Sequence, residues 1–331
     1  MYQQRRLQKK IMTGQATMPV AILIAIVCWV GTLLLWPHTG DAHSKDSLWD
    51  LWVSSHLPVW GNRTLSLLLY GVSGYLLTLL NNQFALIRTR ASAQTTIFLL
   101  LTTACPLLHT FHAGTLAGIT WVLSLFFLFR SYQDLSPESC LFHSFAFLSL
   151  GSLVSPEMLL LMPCYWMGAY MFRSLQLRSF LASLLGCSLP YWFLLGHALF
   201  HGQMELFDGV WTLSHLGTFH PFHLALWQWV TLFYLFMLYI VSTIHSLLTG
   251  YDDKLRTRAY LQFLMLLIAF LFLGTLLFTD AFNYWLSLLI LGVSILSGHL
   301  FVLTQTRASN LFFIGSAIGL IALFCFNLWQ L

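Results

Sequence analysis

The chain has 331 residues, of which 58% are hydrophobic and only 8% are charged, and its mean hydropathy is +0.77. Soluble domains carry roughly 25% charged residues, so this composition excludes a water-soluble enzyme. Apolar runs near the ~20 residues that cross a bilayer fill nearly the whole length, and no polar stretch is long enough for a separate soluble domain. The runs also lack the alternation typical of outer-membrane strands. The composition therefore predicts an integral membrane protein built from helices.

The apolar runs predict an all-α, polytopic transmembrane helical bundle of about eleven spans. The predicted spans are 17–36, 64–84, 93–109, 113–130, 140–154, 157–172, 179–200, 222–247, 260–279, 283–303 and 309–330. The fifth and sixth are short and meet at a polar turn, so nine spans plus a re-entrant hairpin is the alternative. We expect a basic cytoplasmic tail at 1–16 and a single transmembrane domain at 17–331. Its long outer loops are expected at about 37–62 and 201–221.

The distribution of Lys and Arg predicts the orientation of the bundle, because cytoplasmic loops are enriched in both residues. With the N-terminus inside, 13 of the 15 Lys and Arg residues fall in inner loops, and only Lys45 and Arg63 fall outside. The number of spans is odd in either alternative. We therefore expect the N-terminus inside and the C-terminus outside.

No short motif indicates a cofactor or a metal. The sequence has no CxxC pair, no Gly-rich dinucleotide or phosphate-binding motif and no haem attachment motif. All six cysteines lie in or beside apolar runs: Cys28, Cys105, Cys140, Cys164, Cys187 and Cys325. The inner basic residues are spread among loops, as the topology requires. We expect no cofactor, no bound metal and no nucleic-acid partner.

The first predicted outer loop combines acidic residues with an apolar face. Asp41, Asp46 and Asp50 lie in or beside a segment in which Leu and Trp recur at a spacing suited to a short interfacial helix. A carboxylate at the membrane surface is able to act as a general base on a membrane-bound substrate. The alternative is an anchoring helix whose carboxylates are simply solvated. The three aspartates are therefore candidate catalytic residues.

Two further polar loops carry acidic residues. In the outer loop His201–His223, Glu205 and Asp208 share a face if the segment is helical. We expect them to contact substrate as part of a lid; a plain connector and a metal site are the alternatives, although no tight metal motif such as HExxH is present. The inner segment Gly250–Ala259 carries two aspartates followed by three cations, and we expect a solvated turn there.

The segment Phe142–Arg178 combines small residues, which permit close helix approach, with an outward turn at Ser155-Pro156-Glu157. A helix that begins near Glu157 would direct its free N–H groups at the outer face, where they form an anion site suited to phosphate. Glu157 alternatively caps that helix. Both roles stay open, and Glu157 is a further candidate catalytic residue.

This order of a small-residue span, an outward turn, an apolar span and a basic inner end resembles the GT-C glycosyltransferases, polytopic enzymes that use lipid-phosphate-linked sugars on the outer membrane face. The resemblance covers about 40–200. It implies that an acidic residue of the first outer loop deprotonates an acceptor hydroxyl. It also implies that the leaving phosphate is held by Glu157 and its helix end together with cationic side chains: Arg63, His109 and His112. The chain departs from that family because it has no Asp directly after the first span and no large soluble C-terminal domain.

Four segments resemble a family of uncharacterised bacterial polytopic membrane proteins of about 300 residues: Leu80–Ser92, Phe129–Gln133, Ser149–Glu157 and Phe172–Trp192. This resemblance implies a multi-pass topology and a bacterial inner membrane. It implies no activity.

Three functions compete at this point. The first is a GT-C-like glycosyltransferase whose partners are membrane lipids and a lipid-linked saccharide. The second is a non-enzymatic subunit or scaffold that binds other envelope membrane proteins. The third is a lipid or solute transporter, against which stands the lack of an ionisable residue near the middle of any predicted span.

Overall fold

The computed structural model describes residues 7–12, 14, 16–35, 58–87, 92–204, 207, 222–304 and 306–330. In these residues all regular structure is helical, with eleven α-helices of ten residues or more. The α-helices are α1 (Leu7–Met12), α2 (Thr17–Leu35), α3 (Val59–Phe84), α4 (Ala93–Thr103), α5 (Ala113–Arg130), α6 (Glu138–Ser152), α7 (Met162–Met171), α8 (Leu177–His201), α9 (Leu226–Thr249), α10 (Leu255–Leu277), α11 (Phe282–Leu303) and α12 (Arg307–Trp329). Three short 3-10 helices lie between them: Pro106–His109, Pro156–Leu161 and Gly250–Asp252.

Eight of the described helices are long and apolar enough to cross a membrane, namely α2, α3, α5 and α8 to α12. A multi-pass helical membrane protein is therefore confirmed. The helices α4, α6 and α7 have only 11, 15 and 10 residues. At about 1.5 Å per residue each is shorter than the ~30 Å hydrocarbon layer. Every predicted apolar segment contains a helix, but the number of crossings and the direction of the termini stay predictions.

The helix α11 forms the centre of the bundle. It is enclosed by other helices, because 94% of its apolar stretch is buried. The helices α4, α5, α9 and α10 pack against it. Two glycines permit this close packing: a Cβ at Gly292 would lie 2.7 Å from the Ile268 side chain, and one at Gly298 would lie 3.0 Å from the Gln94 backbone. Both ends of the bundle are assembled around α11.

A second unit of the bundle consists of α5, α6 and α8. Ser124 on α5 and Ser144 on α6 exchange hydrogen bonds, each hydroxyl donating to the other's carbonyl oxygen, at 2.6 Å and 2.9 Å. On the far side of α6, Gly186 of α8 lies so close that a Cβ there would be 2.2 Å from the carbonyl oxygen of Phe142. The small residues of this region therefore do permit close helix approach, as the sequence predicts.

The short helix α1 is packed against the bundle through one glutamine. The Gln8 side-chain amide donates to the carbonyl oxygens of Phe301 at 2.7 Å and Thr304 at 3.1 Å, and its oxygen accepts from the Ser309 hydroxyl at 3.1 Å. Part of the expected tail at 1–16 is thus a packed element at the connection between α11 and α12.

The described helices run between two ends of the bundle. We call one the loop end, because the helices that flank the segments 36–57 and 205–221 end there; Asn327 of α12 donates to the Ala104 carbonyl oxygen at this end. The other is called the basic end, because seven described Lys and Arg residues lie there: Arg130, Arg173, Arg178, Lys254, Arg256, Arg258 and Arg307.

Candidate functional site

The predicted site residues that the structure describes all lie at the loop end: Arg63, His109, His112 and Glu157. The alternation of the helices between the two ends brings them there from three separate parts of the chain, since His109 and His112 belong to the same connection. The five remaining candidates lie outside the described residues: Asp41, Asp46, Asp50, Glu205 and Asp208.

His109 is a buried, neutral imidazole at the end of the 3-10 helix that follows α4. Its ring stacks on Trp29 with the ring centroids 3.6 Å apart. Its Nε2 donates to the Thr103 carbonyl oxygen at 3.2 Å, and its Nδ1 lies 2.9 Å from the Thr32 hydroxyl. Burial, with a smaller contribution from the charge of Arg63, lowers the pKa of His109 to about 3. The ring therefore supplies hydrogen bonds and packing, whereas the sequence predicts a charge.

Arg63 lies near the start of α3 and is only 3% exposed. The neighbouring Asn62 fixes the connection beside it, because its Oδ1 accepts from the Phe111 backbone N–H at 2.6 Å. The charge of Arg63 contributes to the lowered pKa of His109. A buried charge is expensive to desolvate. The planar guanidinium is also the side chain best suited to a phosphate group.

His112 is held at the start of α5 by a small hydrogen-bonded network. Its Nε2 lies 3.0 Å from the Ser287 hydroxyl on α11, and the Tyr70 hydroxyl of α3 lies 3.1 Å from the same oxygen. Gly114 makes room for this arrangement, since a Cβ there would lie 2.8 Å from Ser287 Oγ and 2.9 Å from His112 Nε2. Three helices thus meet at one serine hydroxyl.

Glu157 lies in the connection between α6 and α7 and is 9% exposed. Its carboxylate accepts a hydrogen bond from the Ser155 hydroxyl, and the buried Tyr284 of α11 lies close enough to interact with it electrostatically. A helix does begin near Glu157, but its first part, Pro156–Leu161, is a 3-10 helix that runs directly into α7 at Met162. Pro156 and Pro163 have no backbone N–H, and this favours a short 3-10 helix at the start.

These residues form two neighbouring groups along α11. Trp29 contacts both His109 and Tyr70, with ring centroids 3.6 Å and 6.3 Å apart respectively. Tyr284 and Ser287 are three residues apart on α11 and therefore share a face. The first group consists of Arg63, His109 and His112. The second contains Glu157 and the neighbouring Tyr284. We call the whole set the loop-end cluster: Arg63, Tyr70, His109, His112, Glu157, Tyr284 and Ser287.

A buried ionisable pair at the basic end was missed by sequence reasoning. The carboxylate of Asp253 lies against the ring of His299 in the last turns of α11. Nearby, His245 Nε2 lies 3.0 Å from the Thr304 hydroxyl, and the His245 and His299 ring centroids are 6.2 Å apart. The expected solvated turn at Gly250–Ala259 is therefore wrong for Asp253, because the 3-10 turn before it directs the chain back toward α11.

Part of the signal for this pair was present in the sequence. His245 and His299 both lie in apolar runs, about one turn from the predicted inner ends, and Asp253 is predicted at the same side. What the sequence lacks is a fixed spacing, since the three residues belong to different elements. In the described residues no group of three His, Cys, Asp or Glu side chains is arranged to hold a metal ion.

Comparison with known proteins adds no relative: no protein-family model, curated protein or solved structure matches this chain.

Proposed function

We propose that this chain is a multi-pass membrane enzyme that transfers a sugar from a lipid-phosphate donor at the loop end, in the manner of the GT-C glycosyltransferases. The observation that carries the proposal is the buried Arg63 at the end of the bundle where both long polar segments begin and end. The seven other Lys and Arg residues whose side chains are described lie at the basic end, where topology alone explains them. Topology does not explain a buried guanidinium at the loop end.

The reaction assigns a role to each group. The acceptor hydroxyl oxygen attacks the anomeric carbon of the donor sugar, and the bond between that carbon and the phosphate oxygen breaks. A carboxylate of the first outer loop, one of Asp41, Asp46 and Asp50, takes the hydroxyl proton. The guanidinium of Arg63 stabilises the charge that develops on the leaving lipid phosphate.

The remaining groups of the loop-end cluster support Arg63. The network of His112 with the buried Tyr70 and Ser287 holds α3, the start of α5 and α11 together at this end of the bundle. The Glu157 carboxylate, which accepts a hydrogen bond from the Ser155 hydroxyl, also accepts one from a sugar hydroxyl in this proposal. Glu205 and Asp208, which lie outside the described residues, contact the substrate in this proposal, as the sequence predicts.

The test is mass spectrometry of lipid-linked saccharides and surface glycans in a strain that lacks the gene. The strain is complemented with wild type, Arg63→Gln or Glu157→Gln, and the matched controls Arg178→Gln and Glu138→Gln make the same chemical changes at the basic end. The proposal expects a missing sugar that wild type and both controls restore and that Arg63→Gln does not. An unchanged profile in the deletion strain would sink it and favour a scaffold, which predicts co-purifying envelope proteins instead.

The buried pair at the basic end favours a second candidate, a proton-coupled transporter. Asp253 and His299, with His245 beside them, are groups able to exchange protons inside a helical bundle. Proteoliposomes loaded with a pH-sensitive dye would show proton movement that requires a transported solute and is lost in Asp253→Asn. Proton movement of this kind, together with unchanged saccharides in the deletion strain, would favour the transporter over the glycosyltransferase.

A further inference from the structure

A polar cavity opens at the basic end, away from the loop-end cluster. It has a volume of about 240 Å³ and lies between the end of α9, the 3-10 turn after it and the first turns of α10. This volume holds roughly eight waters at about 30 Å³ each, and it is below the ~300–1,000 Å³ of pockets that enclose whole small molecules. The cavity is therefore large enough for one polar group of a larger molecule but too small to enclose the whole molecule.

The charge of the cavity comes from Arg258. Its Nε donates to the Gly250 carbonyl oxygen at 3.0 Å, which orients the guanidinium against the cavity wall. Asp253 also lines the cavity, but its carboxylate is 1% exposed and lies against His299. The next residue in the chain, Lys254, is exposed. The positive charge that lines the cavity is therefore that of the Arg258 guanidinium.

The rim of the cavity is apolar and exposed. The lining residues Leu247 and Tyr251 are 63% and 75% exposed, and Leu255 beside them is 74% exposed. They lie at the boundary between the apolar helix α9 and the polar turn, which is where an aromatic side chain meets the membrane interface. A polar cavity with an apolar, exposed rim suits a ligand that has a charged head and an apolar body.

We propose that this cavity binds the phosphate of an anionic phospholipid from the leaflet at the basic end. Arg258 contacts the phosphate oxygens, Gln262 and Ser246 line the walls around the headgroup, and the acyl chains lie along the exposed side chains of α9. The site is separate from the loop-end cluster and does not depend on the proposed glycosyl transfer.

Native mass spectrometry of the delipidated full-length protein tests this proposal. The probes are phosphatidylglycerol, phosphatidylcholine with the same acyl chains, and inorganic phosphate. Wild type is expected to retain one phosphatidylglycerol preferentially, and Arg258→Gln to bind it about tenfold more weakly, as for the loss of one charge-assisted hydrogen bond. Arg178→Gln removes an equal charge from an exposed position at the same end and is expected to bind as wild type does.

A second variant separates loss of the site from loss of the fold. Gln262→Phe introduces a bulky ring at an exposed lining position without a change of charge, and it is expected to remove the preferential lipid while the melting temperature stays near that of wild type. Equal retention of the two phospholipids, or competition by inorganic phosphate at the same concentration, would overturn the proposal. Retention that survives both Arg258→Gln and Gln262→Phe would overturn it as well.

Discussion

Nε2 of His299 lies 3.3 Å from Oδ2 of Asp253, and both side chains are 1% exposed. One residue belongs to the turn after α9 and the other to the most buried helix, α11, so this contact joins the basic end to the centre of the bundle. An ionisable pair at this depth is expensive to desolvate, but removal of one partner leaves the other buried and is more expensive still.

The first prediction concerns this pair. Asp253→Ala is expected to lower the free energy of unfolding by about 1–3 kcal/mol, because it removes the carboxylate that lies against the buried imidazole of His299. Thermal unfolding in detergent, followed by circular dichroism, measures the change. Asp280→Ala removes an exposed carboxylate and should have little effect. Equal melting temperatures for the two variants would show that the pair does not stabilise the fold.

The second prediction concerns the contact between α6 and α8. Gly186→Ala places a Cβ against the Phe142 carbonyl oxygen, and since a backbone atom has no rotamer to change, the helices must separate. We expect a loss of about 1–3 kcal/mol. Gly196→Ala on the same helix has nothing within 4 Å of the added carbon and should be neutral or slightly stabilising. A neutral Gly186→Ala would mean that these helices pack less closely than described.

The third prediction concerns Gln8. Gln8→Ala removes two donated hydrogen bonds and leaves the carbonyl oxygens of Phe301 and Thr304 without this donor. Because these groups are buried or partly buried, we expect a loss of about 1–3 kcal/mol. We also expect faster proteolysis near the N-terminus, as measured by the rate at which limited trypsin treatment shortens the protein. An unchanged cleavage rate would contradict the packed position of α1.

The fourth prediction separates the loop-end cluster from the general packing of α11. Ser287→Ala removes the hydroxyl shared by His112 and Tyr70, whereas Ser294→Ala removes one that donates within its own helix, to the Leu291 carbonyl oxygen. Both serines are 0% exposed. Ser287→Ala is expected to lower the melting temperature more and to reduce complementation in the glycan assay. Equal effects of the two substitutions on both readouts would argue against a special role for the network.

The sequence predicts most of the fold, because membrane helices are specified by local composition. The segments 93–109 and 157–172 show the limit of that reasoning: each contains a helix too short to cross alone and a 3-10 helix at Pro106–His109 or Pro156–Leu161. Hydropathy does not distinguish one long apolar helix from a shorter one joined to a 3-10 turn, since both bury the same side chains.

The candidate site is predictable in part for a similar reason. Alternation of helices between two ends is sufficient to bring Arg63, His109 and His112 to one end. It does not say that Trp29 stacks on His109 or that Ser287 meets His112, because those contacts depend on how helices distant in sequence are rotated against each other. The pair of Asp253 and His299 was missed on the same grounds, since no local spacing relates a turn to another helix.

Glycosyl transfer at the loop end is tested most directly with the purified protein and its own lipid-linked donor. Lipids extracted from the deletion strain are incubated with wild-type protein in liposomes, and mass spectrometry follows the polyprenyl-phosphate-linked sugars. Wild type is expected to transfer the sugar of one such lipid to the hydroxyl of an acceptor in the same extract and to release the corresponding lipid phosphate. Arg63→Gln is expected to do so about 100-fold more slowly, the loss typical of one group that stabilises developing charge, and Arg178→Gln is expected to match wild type. No turnover by wild type beyond that in protein-free liposomes, or equal turnover by Arg63→Gln, would contradict glycosyl transfer at the loop end.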